Sequence, residues 1–220
     1  TIATGLTSLI MHDVGRTATL KGVDHAQTAV QLTDALLLNV ATLGGRTMTI
    51  TTANLTMSGS AFHEGEDVIA TDTGATGTVI SWTPSTGSLL IVTDSGSFSN
   101  AADILVGQMM HSSMTANGIV TPTYIVDVVS VWWSITGAMS GTNAKLELEY
   151  ANASVYSTFL ALSDGGYFGE NAFSASFRNN VVTAPNGNLY VSTTNMPDLG
   201  GFSLILELRK AAGFAEKPIH

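Results

Sequence analysis

The chain has 220 residues, 45% hydrophobic and only 11% charged, with a formal net charge of −9 and no cysteine. That length supports one large β domain or two smaller ones, each with a real core. Eight basic residues against seventeen acidic ones give no phosphate-neutralising patch for nucleic acid, and the absence of cysteine excludes disulfides and thiolate chemistry.

Residues 1–22 mix Thr, Gly and Leu with His12, Asp13 and Arg16, without alternation or helical spacing. Two readings stay open here: an arm laid along a neighbour, or a first strand near Thr17–Leu20. From Asp24 to Val40, the residues Ala26, Ala29, Val30, Thr33, Leu36, Leu37 and Val40 recur at intervals of three and four. This predicts an amphipathic helix capped by Asp24 and ended before Gly44 and Gly45, covering an open sheet face or edge. Arg46–Met57 alternates, with Met48 and Ile50 inward, and predicts a strand on the main domain.

Residues 60–107 echo themselves: Phe62, Gly65, Glu66, Asp67, Val68 and Ile69 are answered, at an offset of 36, by Phe98, Ala101, Ala102, Asp103, Ile104 and Leu105. Between them, Gly77–Trp82 and Ser88–Thr93 read as a hairpin turning at Pro84 and Gly87. A small β-barrel or hairpin module is expected. Gln108–Pro122 reads as a linker whose Met109, Met110 and Met114 fill gaps between domains.

The remainder reads as a β-sandwich. In Ile125–Thr136 the alternation puts Val129, Val131, Trp133 and Ile135 on one face and leaves Trp132 with Val128 as an apolar strip on the other. Either the helix or another subunit covers that strip. Leu146, Leu148 and Tyr150 point inward, continued by Tyr156, Thr158, Leu160 and Leu162. Phe202, Leu204, Leu206 and Leu208 close the sheet pair, and the tail Ala211–His220 is expected on the surface.

The fold class is therefore mainly β: a jelly-roll-like antiparallel sandwich at 111–220, the inserted module at 58–110, and an arm, helix and strand at 1–57 packing on the sandwich. No constellation for chemistry emerges. Gly137–Gly141 lacks the spacing of a nucleophile elbow. His12, His25, His63, His111 and His220 form no ligand pair, Asp72–Gly74 and Asp164–Gly166 are turns, and Glu147 and Glu149 beside Lys145 read as surface. No catalytic residue, metal ligand or cofactor site is assigned. Trp132, Val128 and Trp82 are the candidate interface residues, because aromatic side chains concentrate at such contacts.

Two stretches carry a resemblance. The module is similar to F-x-x-G-E-x-[IV]-x-G segments of bacteriophage tail and capsid structural proteins, departing from them at Ala70. Val128–Gly137, Leu146–Tyr150, Gly165–Gly169 and Ser203–Lys210 resemble a sandwich of virion structural proteins from marine and cyanobacterial tailed phages. The resemblance implies a capsid cement or decoration protein that clamps the major capsid protein and copies of itself, as a homotrimer. Its alternatives are a tail fibre, collar or baseplate part, and, from another class, a carbohydrate-binding module using Trp82 or Tyr167. With so few charges and a mean hydropathy of +0.28, part of the surface is expected to be buried against other subunits. No apolar run approaches the ~20 residues of a membrane span. The sequence as given opens without a basic signal-peptide region, so the expected location is the virion, assembled in the host cytoplasm.

Overall fold

A computed structural model describes residues 8–25, 31–52, 61–99, 104–137, 143–152, 155–169, 185–196 and 200–218. Its strands in chain order are β1 (Ser8–Val14), β2 (Thr17–His25), β3 (Ala35–Leu38), β4 (Thr47–Thr51), β5 (Asp67–Ala70), β6 (Thr76–Thr83), β7 (Ser88–Ser95), β8 (Ile104–Gly107), β9 (Ser113–Thr115), β10 (Gly118–Val120), β11 (Ile125–Thr136), β12 (Lys145–Asn152), β13 (Val155–Leu162), β14 (Gly165–Phe168), β15 (Pro185–Thr194) and β16 (Gly201–Ala212). A 3-10 turn at Val40–Thr42 is the helical element among the described residues. The chain divides into two compact units, Thr1–Leu43 with Thr123–Ala212, and Gly44–Pro122 with Gly213–His220.

The first unit is sandwich-like, with antiparallel sheets ordered β1-β2-β16-β11-β14 and β13-β12-β15-β3. Strict alternation gives each central strand one apolar face to bury. On β16 that face is Phe202, Leu204, Leu206 and Leu208; on β12 it is Leu146, Leu148 and Tyr150, as the sequence pattern predicts. Each such side chain contributes about 1.5–3 kcal/mol when taken fully out of water. The Tyr150 hydroxyl donates to the Val126 carbonyl at 3.4 Å, joining a side chain of one sheet to the backbone of the other.

The helix expected over Asp24–Val40 does not form. Asp24 and His25 end β2, and Ala35–Leu38 is a strand paired with β15; residues 26–30 lie outside the described residues. Backbone groups that a helix would satisfy internally are satisfied here by β15: Leu32 N–H donates to Thr193 Oγ1 at 2.7 Å and Asp34 N–H to Ser192 Oγ at 2.9 Å. Apolar spacing of three and four also arises where an irregular segment leads into a short strand. At the N-terminus the strand reading holds over 8–25, where β1 and β2 form a hairpin around Gly15, whose φ of +54° suits glycine.

Two β-bulges account for the misread faces. The β11–β16 register slips between Val128 and Ser130, so the alternation changes phase at Val129. Val128 therefore sits in the core with Val126 and Val131, and it is not part of an outer strip with Trp132. The β12–β13 register slips at Leu148/Glu149, leaving Phe159 as the extra residue. Phe159 stacks on Tyr150 with ring centroids 4.3 Å apart. Thr158, paired with Glu149, and Tyr156 accordingly turn outward and do not extend the core.

The second unit is one antiparallel sheet ordered β10-β4-β7-β6-β5-β8-β9, an open, curled half-barrel with Phe62, Ile50, Val68, Leu89, Ile91, Phe98 and Leu105 in its core. The sequence echo becomes a pairing. β5 and β8 lie antiparallel with Val68↔Gly107, Ile69↔Val106 and Ala70↔Leu105, and Thr71 N–H donates to Ile104 O at 2.9 Å. Adding 36 to one strand's numbers and subtracting it from the other's maps this ladder onto itself, so the β5–β6 and β8–β9 hairpins meet about a local two-fold.

Unit boundaries differ from those read in the sequence. β4 pairs with β7 and β10 and so belongs to this sheet, not to the sandwich. The expected linker supplies β9 and β10, and of its methionines Met114 is in the core while Met109 and Met110 are exposed. The tail is also tied in: Ala215 N–H donates to Gly45 O at 2.9 Å, and Lys217 Nζ meets Asp94 Oδ2 at 2.8 Å. Alternation shows which side of a strand is apolar, but not which sheet the strand joins.

Candidate functional site

Trp132 and Tyr167 form an aromatic pair on the outer face of the five-stranded sheet. β11 and β14 place them directly opposite one another, with ring centroids 4.6 Å apart and planes inclined at 33°. They are 36% and 48% exposed. Two of the four segments quoted for the resemblance, Val128–Gly137 and Gly165–Gly169, thus lie side by side, and the glycines of the second have steric roles. A Cβ on Gly166 would sit 2.9 Å from the Trp133 ring, and one on Gly169 would overlap the Tyr167 hydroxyl. Trp133, turned the opposite way from Trp132, is fixed by its indole N–H donating to Ser163 O at 3.0 Å.

The cross-strand row continues from Tyr167 and Trp132 through Ile205 to Lys21. On one side Ser134 pairs with Ser203. On the other, Ser130 Oγ donates to Glu207 Oε2 at 2.6 Å. The aromatic pair is thus a patch with Lys21, Ser134 and Glu207 exposed around it. Of the three residues singled out in the sequence, Trp132 lies on this patch and Val128 lies in the core beneath it. Trp82 belongs to the second unit, half-buried and edge-on to Phe62 at 5.5 Å. Tyr167, which the sequence reading named for sugar stacking within the Gly165–Gly169 motif, is the residue that joins Trp132 here.

Glu149 also departs from the surface role expected of it. Only 7% exposed, its carboxylate accepts from Ser192 Oγ at 2.9 Å. Burial pushes its pKa above the usual carboxylate range; the Ser192 bond opposes this, and the nearby charges of Asp34 and Glu147 add to it. Tyr156 and Tyr190 pack edge to face beside this network at 4.9 Å. In the second unit, Glu66 is buried with Oε2 near His63 N–H at 3.4 Å, and its other oxygen lies over Gly107, where a Cβ would overlap it. That contact accounts for the Glu of the Phe62–Ala70 stretch, and Gly65 beside it holds the turn with φ +81°.

Among the described residues no group of three or more His, Asp or Glu is placed to hold a metal ion, and no helix is long and apolar enough to cross a membrane. A recess of about 340 Å³ is lined by Met11, Leu20, Leu36, Leu37, Leu38, Asn39 and Thr42.

No protein-family model and no curated protein matches the chain. Among solved structures, it is similar at 7% identity to a structure of manganese lipoxygenase of Gaeumannomyces graminis with part of zonadhesin of Komagataella pastoris, over 95% of this chain and 85% of that one, with a TM-score of 0.16. A second, the collagen-binding domain of an Erysipelothrix rhusiopathiae surface protein, is 7% identical over 95% of this chain and 83% of that one, with a TM-score of 0.14. Scores this low describe no shared fold.

Proposed function

We propose that this chain is a structural subunit of a phage virion, a cement or decoration protein that acts by binding the major capsid protein and copies of itself rather than by catalysis. The observation that carries this reading is the exposed Trp132–Tyr167 pair, built by the same motif residues that resemble virion proteins. Burying two large rings supplies most of what a modest protein contact needs. Repetition over a shell then multiplies each contact by avidity. The chain path, which switches sheets at β11–β12, β13–β14, β14–β15 and β15–β16, supports a jelly-roll-like sandwich. A virion assembled in the host cytoplasm belongs to the same proposal.

A tail position uses the same patch and differs by copy number. The carbohydrate reading is less supported, since Trp82 packs against Phe62 and Tyr167 gives one ring face to Trp132. Co-sedimentation with shells of the major capsid protein tests the proposal. Wild-type chain pellets with shells, and the Trp132→Ala/Tyr167→Ala double variant binds at least about 30-fold more weakly, as two hot-spot losses of ~1–2 kcal/mol each imply. Absence of wild-type binding, or binding indifferent to the substitutions, refutes it.

A further inference from the structure

We propose that β13 is a strand-addition edge, at which a second copy of this chain pairs β13 against β13, antiparallel, about a two-fold axis. A sheet edge carries outward backbone donors and acceptors, and proteins that stay apart blunt it with shortness, charge or Pro. The described edges of this chain follow that rule with one exception. β9 and β10 have three residues each, and β3 and β14 four. β14 begins with two glycines, and β3 is approached through Asp34 at φ +47°. β1 is longer but carries His12 and Asp13, and Asp13 is ion-paired with Lys210 at 2.6 Å.

β13 has none of these protections except the single bulge at Phe159. It runs for eight residues, Val155–Leu162, with no charge and no proline. β12 is its one strand partner among the described residues. Val155 is 60% exposed; Ser157, Thr158 and Ala161 are exposed, and Tyr156, Phe159 and Leu160 half-buried.

The edge also selects its occupant. An arriving strand must be extended, several residues long and itself at an open edge; among the described edges of this chain only β13 qualifies. Two-fold pairing places uncharged residues opposite uncharged residues along the whole ladder, with no like charges to repel. The product is a continuous sheet of two four-stranded halves, joined by backbone hydrogen bonds and by the Val155 and Leu160 side chains. This inference does not need the virion reading, since it concerns the free chain.

Sedimentation velocity of the full chain across a range of concentrations is the test, with the Ser157→Lys/Ala161→Lys variant alongside. Both sites are exposed, so the variant should keep the wild-type circular dichroism. Wild type is expected to form a dimer, and the variant, which brings four lysines to the two-fold seam, to associate at least about 100-fold more weakly. Hydrogen exchange on the wild type reads the same contact without a substitution: amides of 155–162 gain protection as concentration rises. A monomer at all concentrations, a trimer, an association indifferent to the lysines, or unchanged exchange in β13 each overturns the inference.

Discussion

Gly107→Ala tests whether the Glu66–Gly107 contact works as a mechanical lock. A methyl group at this position overlaps Glu66 Oε1 and lies 3.3 Å from the Phe62 ring, so the buried carboxylate must leave its place. Losing the His63 N–H bond to Oε2 costs about 0.5–1.5 kcal/mol, and forcing a methyl into a packed core adds about 1–3 kcal/mol. The expected loss is therefore about 2–4 kcal/mol. Glu66→Ala alone, removing a buried side chain, costs about 1–3 kcal/mol. In the double variant the new methyl enters space the carboxylate has vacated, so the two losses fall short of their sum by at least ~1.5 kcal/mol. Urea unfolding followed by circular dichroism gives the cycle, with amide exchange across β5 and β8 locating the change. A Gly107→Ala variant within about 0.5 kcal/mol of wild type, or strict additivity, refutes the lock.

Glu149→Gln should flatten the dependence of stability on pH. The folded state holds the Glu149 proton to higher pH than the unfolded chain does, so the stability this one group contributes is fully present below the ordinary carboxylate range and is lost as pH rises through the raised folded pKa. Thermal melts from acid to neutral pH should show that decline in wild type and not in the variant; an identical decline in both sinks the assignment. Tyr150→Phe keeps the Phe159 stack but deletes the hydroxyl bridge to Val126 O. It should cost about 1 kcal/mol in chemical denaturation, while a gain in stability would show that the bridge contributes nothing.

The apolar faces of β12 and β16 were legible because nothing interrupts their alternation between Leu146 and Tyr150 or between Phe202 and Leu208. β11 and β13 were legible as strands but not as faces. One extra residue, Val129 in the first and Phe159 in the second, shifts the phase, so that Trp132 and Leu162 keep the side read for them while Val128 and Thr158, before the bulges, do not; bulges leave no mark in a pattern of small and β-branched residues. The missing helix is a different failure. Leu36, Leu37 and Val40 satisfy helical spacing equally well as a four-residue strand followed by a 3-10 turn, and only β15, some 150 positions away, decides between them. Trp132 could be placed outward from sequence, and the Gly165–Gly169 motif marked Tyr167. Their adjacency depended on a register that pairs residues 35 apart.

Both units are discontinuous in the chain, and each waits for the other's residues to be made. The central strand of the first sheet, β16, lies between β2 and β11, and the last residues of the second unit, beyond Gly213, return to Gly45 and Asp94. During synthesis, then, the hairpin β1–β2 has no lasting sheet neighbour until β16 has left the ribosome. The second unit has all seven strands by Val120, whereas the first should close late, and a nascent chain halted before β16 would offer proteases an unfinished first unit.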